Sequence, residues 1–189
     1  MERLKNYLLR NYNLTKDDLD QLKDNFHPGK IDAGEYFVKA GKICYRLGFI
    51  EEGVMRYTYF PRDDREFTCS FASEEEFIGE PESFLSQNPC RLSIRAAIDC
   101  RVMTITLDDY KDILEKYPPF SKIFEDIDYR TVLSLLEKRT FLAGIDAVTR
   151  YRHFIDKYPS LIQRVPLGYI ASYLDITQQS LSRIRRQVY

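Results

Sequence analysis

No stretch of this 189-residue chain approaches the ~20 consecutive apolar residues that a membrane-crossing helix needs, so no membrane partner is expected. Met1 to Arg10 is charged throughout and lacks a hydrophobic centre, which argues against a secretory signal and for a cytoplasmic protein. Histidine is scarce. Only His27 and His153 occur, and neither falls in the strand-like stretch from Ile31 to Leu107. A strand-built metalloenzyme needs His and carboxylate ligands clustered on facing strands, so catalysis and metal binding are not expected. Cys44, Cys69, Cys90 and Cys100 are far apart and form no C-x-x-C pair; they read as small core or strand residues rather than zinc or iron–sulfur ligands.

Acids are missing from one place in particular. Gln178 to Tyr189 carries three arginines and no Asp or Glu, whereas a merely solvated helix normally mixes both signs. Residues 144–189 hold seven Lys/Arg against three acids, a net of +4 that leaves −5 on residues 1–143 of a chain whose total is −1. Within this region, Leu167, Ile170, Ala171 and Leu174 fall at i, i+3, i+4, i+7, and Leu181, Ile184 and Val188 repeat the spacing after Asp175-Ile176-Thr177. That pattern predicts two short amphipathic helices joined by a turn. Pro166 suits the first helical position, and Thr177 can cap the second helix through the N–H of Gln179 or Ser180. Asp175 stands in the turn where Gly is commonest, and Asp tolerates the left-handed region better than most residues. With Leu181 and Ile184 inward, Gln179, Ser182, Arg183 and Arg186 face outward, with Gln178 at the leading end. Such a face can read DNA, since Arg bonds guanine O6/N7 and Gln bonds adenine N6/N7 in the major groove.

The length allows one full core plus a smaller unit. Thr15 with Asp18 resembles a capping box, with Leu19, Leu22 and Phe26 at helical spacing before Pro28-Gly29 ends the helix. From Ile31 to Leu107 the period becomes two. Ile43 to Phe49, Val54 to Phe60, Phe67 to Phe71, Leu92 to Ile98 and Val102 to Leu107 predict short strands of an antiparallel jelly roll. After Asp108-Asp109 a helical pattern begins. Phe120, Ile123, Phe124 and Ile127 form one stripe, and Val132, Leu133, Leu135 and Leu136 spread over more than one side, which predicts a helix buried on two faces. Gly144 is a candidate hinge, and Val148, Tyr151, Phe154, Ile155 and Tyr158 predict a further helix backing the C-terminal pair.

Gly34-Glu35, Gly41, Phe49-Ile50-Glu51-Glu52-Gly53 and Phe77-Ile78-Gly79-Glu80, followed by an Arg/Ser-bearing strand entry, together resemble a cyclic-nucleotide-binding domain. With the C-terminal helices, the chain resembles the Crp/Fnr family of bacterial transcription regulators over nearly its whole length. The resemblance implies an α+β fold: a jelly-roll sensor over 1–115, a dimerisation helix and hinge over 116–143, and a helix-turn-helix domain over 144–189. It implies a sequence-specific DNA-binding regulator rather than an enzyme, a homodimer formed through the helix around 120–137, a near-palindromic operator, and RNA polymerase as a further partner. DNA contacts are expected from Thr177, Gln178, Gln179, Ser180, Ser182, Arg183, Arg185 and Arg186. No wing hairpin is expected after the second helix of the pair, so Arg164, Arg185 and helix N-termini are expected to supply phosphate contacts.

No cofactor is fixed by the sequence; a cyclic nucleotide or another small effector is what the resemblance implies, held at Gly79, Glu80, Arg91 and Ser93. The match is incomplete there. The family's Arg and Ser fall at Cys90 and Arg91, so Arg91 is one residue out of register, and Leu92 separates it from Ser93. A misplaced guanidinium forfeits a charge-assisted pair of roughly 1.5–3 kcal/mol, and Glu80 and Glu82 disfavour an anion. A rival reading, a ligand-gated protein-interaction module without DNA binding, uses the same sensor.

Overall fold

The computed structural model describes residues 1–12, 14–60, 66–122, 125 and 145–188. Two helices open the chain, α1 (Glu2–Asn11) and α2 (Lys16–Leu22). Thr15 caps α2 in the expected box, taking the Asp18 N–H on its hydroxyl while its own N–H goes to the Asp18 carboxylate.

The described strands are β1 (His27–Ile31), β2 (Tyr36–Val38), β3 (Arg46–Glu52), β4 (Met55–Tyr59), β5 (Phe67–Ala72), β6 (Phe77–Ile78), β7 (Ser93–Ala96) and β8 (Cys100–Thr106). They pair antiparallel as two sheets, β1-β8-β3-β6 and β2-β7-β4-β5, which is the predicted jelly roll. β1, β2 and β6 are not among the expected strands, and β1 takes in Pro28 and Gly29, expected only to end a helix; this is tolerated because β1 is an edge strand where proline's missing N–H costs no ladder bond. β3 starts at Arg46, and Ile43 keeps only an isolated bridge to Pro89. β3 is buried at four successive positions, Leu47 to Ile50, because α1 covers it: Tyr7 packs on Phe49 with ring centroids 5.3 Å apart, and the Leu4 N–H donates to Glu51 Oε1 at 3.0 Å.

A short helix, α3 (Pro81–Ser86), lies between β6 and β7, and α4 (Leu107–Lys116) follows β8, capped by Thr106 and Asp109. The barrel core runs through Phe49, Ile50, Met55, Ile94, Ile105 and Ile113, and Phe120 closes it against Phe26. The expected dimerisation helix around 120–137 and the hinge near Gly144 lie almost wholly outside the described residues.

The C-terminal helices are α5 (Ala147–Lys157), α6 (Leu161–Arg164), α7 (Leu167–Tyr173) and α8 (Gln178–Val188). Asp146 caps α5 by accepting from the Val148 and Thr149 N–H groups, and Pro166 stands one position earlier than expected, as the residue preceding α7. Tyr151, Phe154, Leu161, Ile170, Leu174, Leu181 and Ile184 form their core. This core does not close on itself. Val54, Phe71 and Ala97 of the barrel belong to it, and Phe71 meets Phe154, Tyr158 and Tyr173 at 5.7–6.0 Å. Alternation explains what the sequence pattern hid: residues of β4 and β5 that turn away from the barrel interior are buried as well, beneath the helices.

Candidate nucleic-acid interface and ligand cassette

The turn between α7 and α8 is built by local chemistry. Asp175 takes φ +52°, the Ile176 N–H returns to the Ala171 carbonyl at 3.1 Å, and the Ser180 N–H donates to Thr177 Oγ1 at 3.1 Å. Leu181 is fully buried and Ile184 nearly so, which fixes the rotation of α8 about its axis. The other face then projects outward: Thr177, Gln178, Gln179, Arg183 and Arg186 are exposed, and Ser180, Ser182 and Arg185 are half-buried. Among the described residues no carboxylate pairs with Arg183, Arg185 or Arg186. The face therefore offers amide, hydroxyl and guanidinium groups, all able to donate, on a helix roughly 16 Å long.

Arg164 departs from its expected role. Glu74 holds its guanidinium through both carboxylate oxygens, at 2.8 and 2.5 Å, and also accepts the Gly53 N–H at 2.8 Å. Burial alone would raise the Glu74 carboxyl, but the Arg164 and Gly53 hydrogen bonds outweigh it and hold it at about 2. Arg164 thus ties α6 to the barrel instead of reaching toward a phosphate.

A second cluster missed by sequence reasoning lies at the same junction. Arg56, on the outward side of β4 and only 2% exposed, bonds the Glu66 carboxylate and Thr68 Oγ1 and lies 3.9 Å from the centroid of the Tyr169 ring on α7. The one available signal was a charged residue in mid-strand at Met55–Tyr59, which alternation turns away from the barrel interior.

Gly79 and Glu80 lead directly into α3 and Glu80 reaches Arg91, but the polar groups of this region are engaged by the barrel's own backbone. Gly79 sits at φ +143°, where a Cβ would strike the Leu47 side chain, and its carbonyl lies 3.5 Å from the Tyr57 hydroxyl. Glu80 Oε1 accepts the Arg91 N–H at 3.0 Å. The Ser83 hydroxyl accepts from the Cys44 N–H and donates to the Asn88 carbonyl, and Ser93 Oγ, 1% exposed, accepts the Ala40 N–H at 2.9 Å. Cys90, where the resemblance puts the phosphate-holding guanidinium, is buried with its thiol toward the Lys39 carbonyl, while Arg91 is exposed. Burial raises the Cys90 thiol, and Glu80 adds to the effect, so it stays neutral where a cation would be needed. A cyclic phosphate asks for a guanidinium and N–H donors; the α3 N-terminus, which carries no side-chain cap, can offer N–H groups, but the position of the guanidinium is taken by Cys90.

The fold is that of a cyclic-nucleotide-binding jelly roll followed by C-terminal helices. Residues 28–117 match the family model described as cyclic nucleotide-binding domain. Among solved structures the chain superposes on FixK2 from Bradyrhizobium japonicum with a TM-score of 0.76 at 14% identity, covering 86% of this chain and 84% of that one. On a Crp/Fnr-family transcriptional regulator from Eubacterium rectale the TM-score is 0.73 at 16% identity, over 96% of this chain and 87% of that one. Among curated sequences it is 28% identical over 94 residues to the potassium/sodium hyperpolarization-activated cyclic nucleotide-gated channel 2 of Mus musculus. That match takes in 50% of this chain but 10% of the channel. The family model thus covers the jelly roll, while the structural likeness takes in nearly the whole chain, the C-terminal helices included. No described helix is long and apolar enough to cross a membrane.

Proposed function

We propose that this chain is a sequence-specific DNA-binding transcription regulator of the Crp/Fnr type, and that it performs no catalysis. The observation that carries the reading is the acid-free, solvent-facing side of α8, held in place by Leu181 and Ile184. In this reading residues 1–115 are the sensor, 116–143 the dimerisation helix and hinge, and 144–189 the helix-turn-helix domain. Two chains pair through the helix around 120–137 and present their α8 helices about one turn of DNA apart, ~34 Å, to a near-palindromic operator. Gln178, Gln179, Ser182, Arg183 and Arg186 read base edges, while Thr177, Ser180, Arg185 and the α8 N-terminus hold phosphates. Such a protein works in the cytoplasm, with RNA polymerase as its downstream partner. Its effector is a cyclic nucleotide or another small molecule; Cys90, standing where a guanidinium would meet a cyclic phosphate, weighs toward the latter.

The test is a gel-shift titration on an operator selected by the protein from genomic fragments, beside a scrambled duplex. Arg183→Ala is expected to cost ~1–3 kcal/mol on the operator and little on the scrambled duplex, while Arg185→Ala weakens both alike. Equal losses on both duplexes for Arg183→Ala remove its base-reading role. Binding that does not fall steeply with salt transfers the helix face to a protein partner, the rival reading.

A further inference from the structure

The junction between β4–β5 and α7 carries one more assignment. β4 alternates: Tyr57 turns its hydroxyl toward Gly79 inside the barrel, and Arg56 turns the other way, beneath the C-terminal helices. A guanidinium withdrawn from water is costly unless its charge and donors are met. Glu66 supplies the charge, Thr68 Oγ1 accepts at 3.2 Å and the Tyr169 ring covers the guanidinium at 3.9 Å, while Nε is left without a hydrogen-bond partner among the described residues. Glu66 and Thr68 lie on or beside β5 of the same sheet. Tyr169 lies on the first helix of the pair.

Three residues further along α7, on the same face, Ser172 Oγ accepts the Thr68 N–H at 3.0 Å and donates to the Glu66 carbonyl at 3.1 Å. The aromatic patch around Phe71 holds the helix down but fixes its register weakly, since apolar contact is non-directional. The guanidinium plane and the two Ser172 hydrogen bonds are directional. α8 in turn is locked to α7 by Ala171, Leu174, Leu181 and Ile184, so whatever sets α7 sets the exposed arginines of α8.

We propose that Arg56 is a positioning residue: stacked on Tyr169, it sets the register of α7 on β5 and thereby the orientation of the DNA-reading face relative to the barrel. Its consequence for DNA rests on the function proposed above. The docking itself is readable without DNA. The Thr68 amide donates across the junction, so its hydrogen exchange in the full-length chain reports how often α7 lifts.

Tyr169→Leu keeps an apolar side chain and leaves the Arg56–Glu66 and Arg56–Thr68 bonds intact while removing the ring; Tyr169→Phe keeps the ring. Tyr169→Leu is expected to speed Thr68 exchange roughly five- to thirtyfold, the range between an exposed and a desolvated cation–π contact. The Val102 amide of β8 should not change, and Tyr169→Phe should match the parent chain. Unchanged Thr68 exchange in Tyr169→Leu, or an equal acceleration in Tyr169→Phe, overturns the assignment. If Thr68 exchange rises as expected but the parent chain selects no operator, the positioning role stands and the DNA reading falls.

Discussion

The cassette around α3 and the outer face of α8 are both rich in polar side chains, and they differ in where those groups are directed. At the cassette, Glu80, Ser83 and Ser93 are bonded to backbone N–H groups of the same barrel. On α8, Gln178, Gln179, Arg183 and Arg186 face water. A polar group that completes its own fold is a structural element, because its displacement by a ligand must first break the bond it already makes. A polar group held outward on a rigid helix loses only hydration on binding. The polar residues that resemble a ligand site therefore stabilise the barrel, while those of the last helix are free to meet a partner.

The largest effect that would sharpen this contrast is Gly79→Ala. Its φ of +143° suits glycine alone, and the added methyl enters space held by Leu47, itself 2% exposed. Backbone strain and overpacking each cost ~1–3 kcal/mol, so a loss of about 2–6 kcal/mol in urea unfolding is expected. A loss below about 1 kcal/mol would mean the segment adapts freely, and the view of the cassette as rigid structure would fail with it.

How legible these two regions were in the sequence follows from the range of the interactions that build them. The α7–α8 turn was readable down to its capping hydroxyl, because Thr177, Asp175 and the Leu181–Ile184 spacing act within a few residues of one another. Most strands were readable from alternation, although Pro28 hid β1 and Ile43 suggested a longer β3. The register slip at Cys90 was visible, but that Ser93 serves Ala40, 53 residues away in sequence, was not. Nor was the junction. Arg56 and Tyr169, or Glu74 and Arg164, meet only once the helices are folded onto the sheet, and no local pattern encodes a pair 90 residues apart in sequence. Arg164 looked like a phosphate ligand for the same reason: its charge was legible and its partner was not.

A smaller effect separates the junction from both regions. Glu74, held at about 2 against its ordinary 4.5, is a carboxylate whose folded-state value is depressed. Its contribution is complete above the unfolded value and is lost as pH falls from about 4.5 toward 2. The partly exposed pair is worth about 1 kcal/mol. Acid should therefore loosen α6 from the barrel, with amide exchange near Gly53 rising over that window in the parent chain. Glu74→Gln should show the raised exchange at pH 7 and little further change on acidification. A parent chain whose Gly53 exchange, corrected for its intrinsic pH dependence, stays flat down to pH 3 would show that the pair does not hold the helices.

The smallest expected effect is none at all, and it bears most directly on the contrast. A ligand binding only the folded chain with a Kd of 10 μM would, at 1 mM, stabilise it by about 2.7 kcal/mol, a readily measured rise in Tm. Cyclic AMP or cyclic GMP at that concentration is expected to leave Tm unchanged, because Cys90 stands where a guanidinium would be needed and Glu80 already accepts the Arg91 N–H. Cys90→Arg alone should not create the site: the new side chain would have to leave a position only 3% exposed, and Glu80 would remain on the Arg91 amide. A Tm rise of several degrees with either nucleotide in the parent chain would show that the cassette's internal bonds open for a ligand, and the division between structural and outward-facing polar groups would have to be redrawn around α3.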